Sequence, residues 1–233
     1  MVTLSINRRA RKAGKMCIII YKPKNLIIEP DLLINAWDSN PHGAGFTYWD
    51  ESLHGWVTLK GLMTFDDFFE AYSPFQESEM VLHFRIATHG VINEKNTHPF
   101  QDEEEDPIFC HNGVLGNFGS ATSSDSAEFY HLVLKHLPNH LARVKLLQSM
   151  TRYGKFALLE PNGAVSLIGE FIDLEGLQAS NLSFYFFDES LSEEGVSNCE
   201  EALMVLDKEE WEEEQATLQA QIARELAIES GEI

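Results

Sequence analysis

Cys17 directly follows Met16 and opens the apolar run Ile18-Ile19-Ile20-Tyr21. Farther along, His83-Phe84-Arg85-Ile86-Ala87-Thr88-His89-Gly90 is followed by Asn96-Thr97-His98-Pro99 and by His111-Asn112-Gly113. Breaking a carboxamide takes a nucleophile, a base, donors for the oxygen that becomes negative, and a grip on the substrate. Each part has a candidate here. A cysteine at a chain terminus carries its own base, because an α-amino group titrates at about 7.7–8.0 and is partly neutral at working pH. Arg85 stands among apolar residues, where a guanidinium is costly unless it meets an anion, and its planar fork fits a carboxylate at two points. The Asn112 side chain beside the unhindered Gly113 N–H makes a candidate oxyanion hole. Asp125, at the predicted start of a helix, is a candidate for binding an ammonium group. Together these residues point to cleavage of an amide.

Each also has an ordinary structural reading. A cysteine beside a run of isoleucines is commonly a buried strand residue. An arginine in a strand can pair with one of the chain's many acids, Asn-Gly is a common turn, and Asp125 with Glu128 three residues later can simply cap a helix. His83, His89, His98 and His111 raise the question of a metal. No H-E-x-x-H pair or comparable ligand spacing occurs, so packing and loop hydrogen bonds are their default and no metal is expected.

The elements that must position these groups read as strands and helices in alternation. Met16 to Tyr21 is apolar and β-branched, as a buried strand is. A helix is predicted from Pro30 to Trp37, with proline in its first turn. Asn40 to Gly45 reads as a loop, and Phe46 to Trp49 with Trp56 to Leu59 as a hairpin. Thr64 with Asp67 resembles a capping box ahead of a helix from Phe65 to Tyr72. Val81 to Ala87 and Ile108 to Cys110 are predicted strands, the second leading into Asn112 and Gly113. Gly119 to Ser126 is a predicted loop, and helices are expected over Glu128 to Leu137 and Leu141 to Met150. Asn162-Gly163 signals a hairpin turn between Phe156–Leu159 and Val165–Ile168. A further strand is predicted from Ser183 to Phe187, and an amphipathic helix from Lys208 to Ile228. Hairpin strands with helices outside them imply α+β layering.

With 233 residues and 44% hydrophobic content, the chain can bury a full core. A net charge of −20 makes nucleic acid an unsuitable partner. The cysteines, Cys17, Cys110 and Cys199, are odd in number and far apart, which fits a reducing cytoplasm better than a disulfide scaffold. No apolar run approaches the roughly 20 residues of a membrane span. Residues 1–16 are basic and lack apolar periodicity, and three readings stand: a targeting or pro-segment, a disordered tail, or sequence ahead of the true start at Met16. The last is preferred, because removal of Met16 leaves Cys17 at the terminus. The expected organisation is thus an extension over 1–16, a domain over 17–206 and an acidic C-terminal helix over 207–233. Nothing in the sequence specifies an oligomeric state.

Met16-Cys17, the Arg85 to Gly90 segment, Asn96-Thr97-His98-Pro99, His111 to Leu115 and Ser124-Asp125-Ser126 resemble, in order and spacing, the glutaminase domain of class II glutamine amidotransferases. These are N-terminal nucleophile hydrolases, and the similarity runs from residue 16 to about 190. Lys155 to Leu159 and Ser180 to Phe184 look like later parts of a compact branch found in bacteria and their viruses. The resemblance implies a four-layer αββα sandwich, with Cys17 attacking a glutamine side-chain amide and its amino group moving the proton. Asn112 and Gly113 would hold the oxyanion, Arg85 the α-carboxylate and Asp125 the α-ammonium. Thr88 and His89 would shape the pocket, with His98, Gly43 and Gly45 as further candidates for its wall. No cofactor is implied. Ile18 stands where the family usually has glycine, the segment from Asn40 to Gly45 departs from the usual Arg-Gly-x-Asp-Ser-Ala-Gly, and no ammonia-using domain is legible. The expectation is a glutaminase acting on glutamine or a related γ-glutamyl amide, releasing ammonia for a separate synthetase in the cytoplasm, or the host's cytoplasm for a viral chain. The alternative from another class is a glutamine-binding or protein-binding module that does no chemistry, which retention of residues 1–16 would favour by blocking the amine.

Overall fold

The computed structural model describes residues 16–185, so the basic segment 1–15 and the acidic helix expected over 208–228 lie outside the described residues. The described chain forms two antiparallel sheets. The larger is built from β1 (Ile18–Lys22), β2 (Ala44–Asp50), β3 (Gly55–Leu62), β4 (Met80–Phe84), β8 (Ile172–Leu174) and β9 (Leu177–Ala179), in the order β3-β2-β4-β1-β9-β8. The smaller holds β5 (Ile108–Gly113), β6 (Gly154–Leu159) and β7 (Val165–Ile168) in sequence order.

Alternation along the strands divides the apolar residues among three cores. Ile18 and Ile20 of β1 point away from the small sheet and pack with Phe46, Leu82 and Phe84 under α1 (Pro30–Ser39) and α2 (Phe65–Tyr72), which contribute Leu33, Ala36, Phe68 and Tyr72. Ile19 and Val81 face the other way and meet Ile108, Cys110, Ala157 and Leu159 between the sheets. Phe109, Phe156 and Leu158 then pack outward under α3 (Asp125–Leu132) and α4 (His140–Ser149) through Phe129, Tyr130 and Leu147. Helix, sheet, sheet and helix layers follow, and the α+β sandwich expected from the sequence is the observed fold. No described helix is long and apolar enough to cross a membrane.

Local signals explain most element ends. The Thr64 hydroxyl accepts from the Asp67 N–H at 3.1 Å and donates to the Asp67 carboxylate at 2.7 Å, fixing the start of α2 as its sequence implies. Ser124, not Asp125, caps α3, accepting from the Ala127 N–H at 3.2 Å. That helix therefore begins three residues before its predicted start and ends at Leu132, with a short 3-10 turn at Leu134–His136 beyond it. The predicted strand from Val81 stops at Phe84, although Arg85 continues the pairing through its N–H to Gly43 O (2.9 Å) and its carbonyl to the His42 N–H (3.1 Å). Ser183–Tyr185 is not a strand: Asn181 Oδ1 accepts from the Ser183 N–H at 3.0 Å and bends the chain there. The last strands are instead the hairpin β8–β9, which closes the large sheet beside β1.

Candidate active site

Strand parity brings the chemically active residues to one end of the gap between the sheets. Inward-facing positions are odd in β1 and β4 and even in β5, as Ile19, Val81 and Cys110 show. Continuing that alternation sends Cys17, Arg85 and Asn112 into the same gap. Ile18 pairs with Phe84, so one further step of the register sets Cys17 opposite Arg85. The Cys17 thiol donates to the Ile86 carbonyl and accepts from the Ile86 N–H, both at 3.4 Å. Burial pushes this thiol up to about 11, against the lowering influence of the Ile86 hydrogen bond and the Arg85 charge. At pH 7.5 such a thiol is ionised in about one molecule in several thousand, so it needs a base at the moment of attack.

Cys17, Arg85, His98, Gly113 and Asp125 line one small cleft. Thr88 and His89 stand at its wall as well, both exposed. Arg85 is 2% exposed and donates to the carbonyls of His89 (3.0 Å) and Val91 (3.4 Å). Among the described residues it makes no ion pair, so the structural alternative for this arginine has no partner there. Asp125 receives the Leu115 N–H at 2.7 Å and the Ser126 N–H at 2.8 Å, which fixes its carboxylate at the cleft while leaving lone pairs on both oxygens. A buried cation, a held anion and a thiol thus share one small cavity.

Two expectations are corrected. Asn112 and Gly113 do not follow a strand but are its last two residues, paired with Lys155 and Gly154. Two glycines are needed at that pair, since a Cβ on Gly113 would lie 2.1 Å from Tyr153 O and one on Gly154 2.4 Å from Asn112 O. Gly43 and Gly45 are not in the cleft wall; they let the His98 loop lie against β2, a Cβ on Gly45 meeting His98 O at 2.2 Å. Asn112, 3% exposed, directly precedes Gly113 of the cleft wall. Its Nδ2 donates to Ser180 Oγ at 3.0 Å, and its Oδ1 is buried without a partner.

Several contributing residues carry no role in the sequence reading. Asn96 is a staple: its amide donates to Val91 O (3.0 Å) and Thr122 O (2.8 Å) and accepts from the Ser124 N–H (2.8 Å), tying the Arg85 loop to the start of α3. His111 Nε2 lies 3.3 Å from Tyr153 O, which can only accept, so Nε2 carries the proton and Nδ1 accepts from the Ser126 hydroxyl at 2.8 Å. Asn181 donates to the Cys17 carbonyl at 2.8 Å. Apart from the Asn96–Val91 bond these contacts join residues 15 or more apart, and residue type alone does not reveal them.

His83 stacks on His98 with ring centroids 3.9 Å apart, and His83 Nε2 meets His111 O at 3.1 Å. Both His98 nitrogens lack a partner among the described residues. Burial lowers His83 to about 3 and His111 to about 4, and holds His98 well below its ordinary value. All three are therefore neutral in the fold and free to take up protons only on unfolding. Their contribution to stability is complete above about pH 6.5 and is lost as pH falls toward 4, each by up to about 1.4 kcal/mol per pH unit. Urea midpoints should drop steeply between pH 6.5 and 4.5, and a flat profile there would show that these rings are not buried neutral. Among the described residues no cluster of His, Cys, Asp or Glu is arranged to hold a metal ion.

Residues 43–165 match the family model described as Glutamine amidotransferases class-II. No curated protein matches the chain. Among solved structures, glutamine phosphoribosylpyrophosphate (PRPP) amidotransferase from B. subtilis, complexed with ADP and GMP, is similar at a TM-score of 0.49 and 16% identity, over 73% of this chain. The chain spans 42% of that protein's length.

Proposed function

Because this chain belongs to the class II glutamine amidotransferases, we propose that it hydrolyses the side-chain amide of glutamine through a thioester on Cys17 and passes the ammonia to a separate synthetase. The observation that carries this is the meeting of the Cys17 thiol, the buried Arg85 guanidinium and the anchored Asp125 carboxylate in one cleft. Arg85 and Asp125 are the complement of an α-carboxylate and an α-ammonium, which both ends of an amino acid require.

In the reaction the Cys17 α-amine, free once the preceding residues are gone, accepts the thiol proton as sulfur attacks the carboxamide carbon. Negative charge gathers on the former carbonyl oxygen, where the Gly113 N–H and the Asn112 amide stabilise it. The ammonium then protonates the departing nitrogen, the carbon–nitrogen bond breaks, and ammonia leaves behind the thioester. Water, deprotonated by the same amine, opens the thioester and releases glutamate.

A chain beginning at Cys17 should convert L-glutamine to equal amounts of glutamate and ammonia. Analogues lacking the α-carboxylate or the α-amine should react far more slowly. Tight binding of glutamine with no glutamate released would instead identify a catalytically silent module. One observation favours that second reading for a chain that retains residues ahead of Cys17: its thiol is held protonated and its amine is blocked.

A further inference from the structure

Ser180 is fully buried, and its backbone is held by Ile19 O through a 2.9 Å hydrogen bond and by the Lys155 ammonium at 2.7 Å. Its hydroxyl oxygen receives two donors, the Ile19 N–H at 2.9 Å and Asn112 Nδ2 at 3.0 Å. Among the described residues the hydroxyl's own proton has no acceptor, while Asn112 Oδ1 next to it is an acceptor with no donor. An unpaired donor and an unpaired acceptor therefore lie side by side in the interior, where each carries its full desolvation cost.

A half-turn of the Asn112 amide gives the Ser180 hydroxyl its acceptor and Oδ1 its donor, and moves the open hydrogen-bonding position to the NH₂, since oxygen and nitrogen exchange places with little change of shape. Ser180 then donates to Oδ1 and still accepts from the Ile19 N–H. The amide NH₂ takes the position that Oδ1 leaves, on the side away from Ser180. Asn112 projects into the same end of the sheet gap as Cys17, and it directly precedes Gly113 at the cleft. An acceptor there repels a developing oxyanion, whereas a donor stabilises it.

Resting on the glutaminase reading above, we propose that Ser180 is a positioning residue: its hydroxyl, fixed between Ile19 and Asn112, selects the amide orientation that gives the oxyanion a second donor. Ser180 touches no substrate and acts only through Asn112.

The test uses chains beginning at Cys17. Ser180→Ala should lower kcat about tenfold to a hundredfold, a part of the 10²–10³ that a lost oxyanion donor costs, with KM for glutamine unchanged. Affinity for the product glutamate, which develops no oxyanion, should stay at the parent value. Affinity for the glutamine analogue with an aldehyde in place of the carboxamide, which adds to the thiol as a tetrahedral oxyanion, should fall by the same factor as kcat. Ser180→Thr and Ser180→Val are equal in shape and differ in the hydroxyl, so they report the same effect where alanine does not fold: threonine should far exceed valine in kcat. An active parent with equal rates in these two variants, or loss of glutamate affinity along with rate, would overturn the role of Ser180 alone. A parent that releases no glutamate would overturn the glutaminase reading as well.

Discussion

Cys17→Ala, in a chain that begins at this position, should release glutamate from glutamine at no more than about 10⁻⁴ of the parent rate, in line with the loss of a catalytic nucleophile elsewhere. The effect is large because no other described cysteine can substitute: Cys110 is fully buried between the sheets, and burial raises its thiol still further than that of Cys17. It is also separable from misfolding. Cys17 precedes the first strand, and its side chain contacts Ile86 only through 3.4 Å hydrogen bonds, so the alanine variant should unfold at a urea concentration close to that of the parent. Glutamine should still bind to it, held by Arg85 and Asp125. Turnover at the parent rate would remove Cys17 from the mechanism.

Arg85→Ala should raise KM for glutamine by about 10²–10⁴, with a smaller effect on kcat. The estimate follows from two charge-assisted hydrogen bonds to the substrate carboxylate, each contributing about 1.5–3 kcal/mol. Arg85→Lys should recover little of this, because an ammonium cannot present the two parallel donors of the guanidinium. Arg85 also ties down the carbonyls of His89 and Val91, so part of the loss comes from freeing the loop that carries Thr88 and His89. 4-Aminobutanamide, which keeps the amine and the carboxamide but lacks the carboxylate, separates the two parts. Any dependence on Arg85 that it retains comes from the loop. An unchanged KM in the alanine variant would return Arg85 to a purely structural role.

How far the sequence reveals the site depends on the range of the forces involved. Arg85, Asp125 and Gly113 are recognisable because their types are costly or special where they stand, and each lines the cleft. The Thr64 cap and the hairpins at Asp50–Gly55 and Pro161–Gly163 are legible because turn and cap chemistry is local. The β8–β9 hairpin escapes notice because its turn is Glu175-Gly176, with both residues at positive φ (54° and 97°), where Asn-Gly or Asp-Gly is the usual signal. The extension of β5 through Asn112 and Gly113 escapes for the opposite reason. His-Asn-Gly reads locally as a turn, and only pairing with Lys155 and Gly154 makes it strand. Ser180 and Asn96 look like ordinary polar loop residues until the fold brings them to Asn112 and Ser124.

The thiol of Cys17 is held protonated by its surroundings, so the proposed chemistry depends on a base beside it, and the α-amine of the same residue is the group assigned that task. The most direct measurement is the rate of glutamate release by a chain that begins at Cys17, compared with the same chain carrying one residue ahead of it. Loss of general-base assistance should slow the extended chain by about 10²–10⁴ at pH 7.5, with glutamine binding retained. Equal rates in the two chains would contradict the assignment and transfer the proton to another group at the cleft.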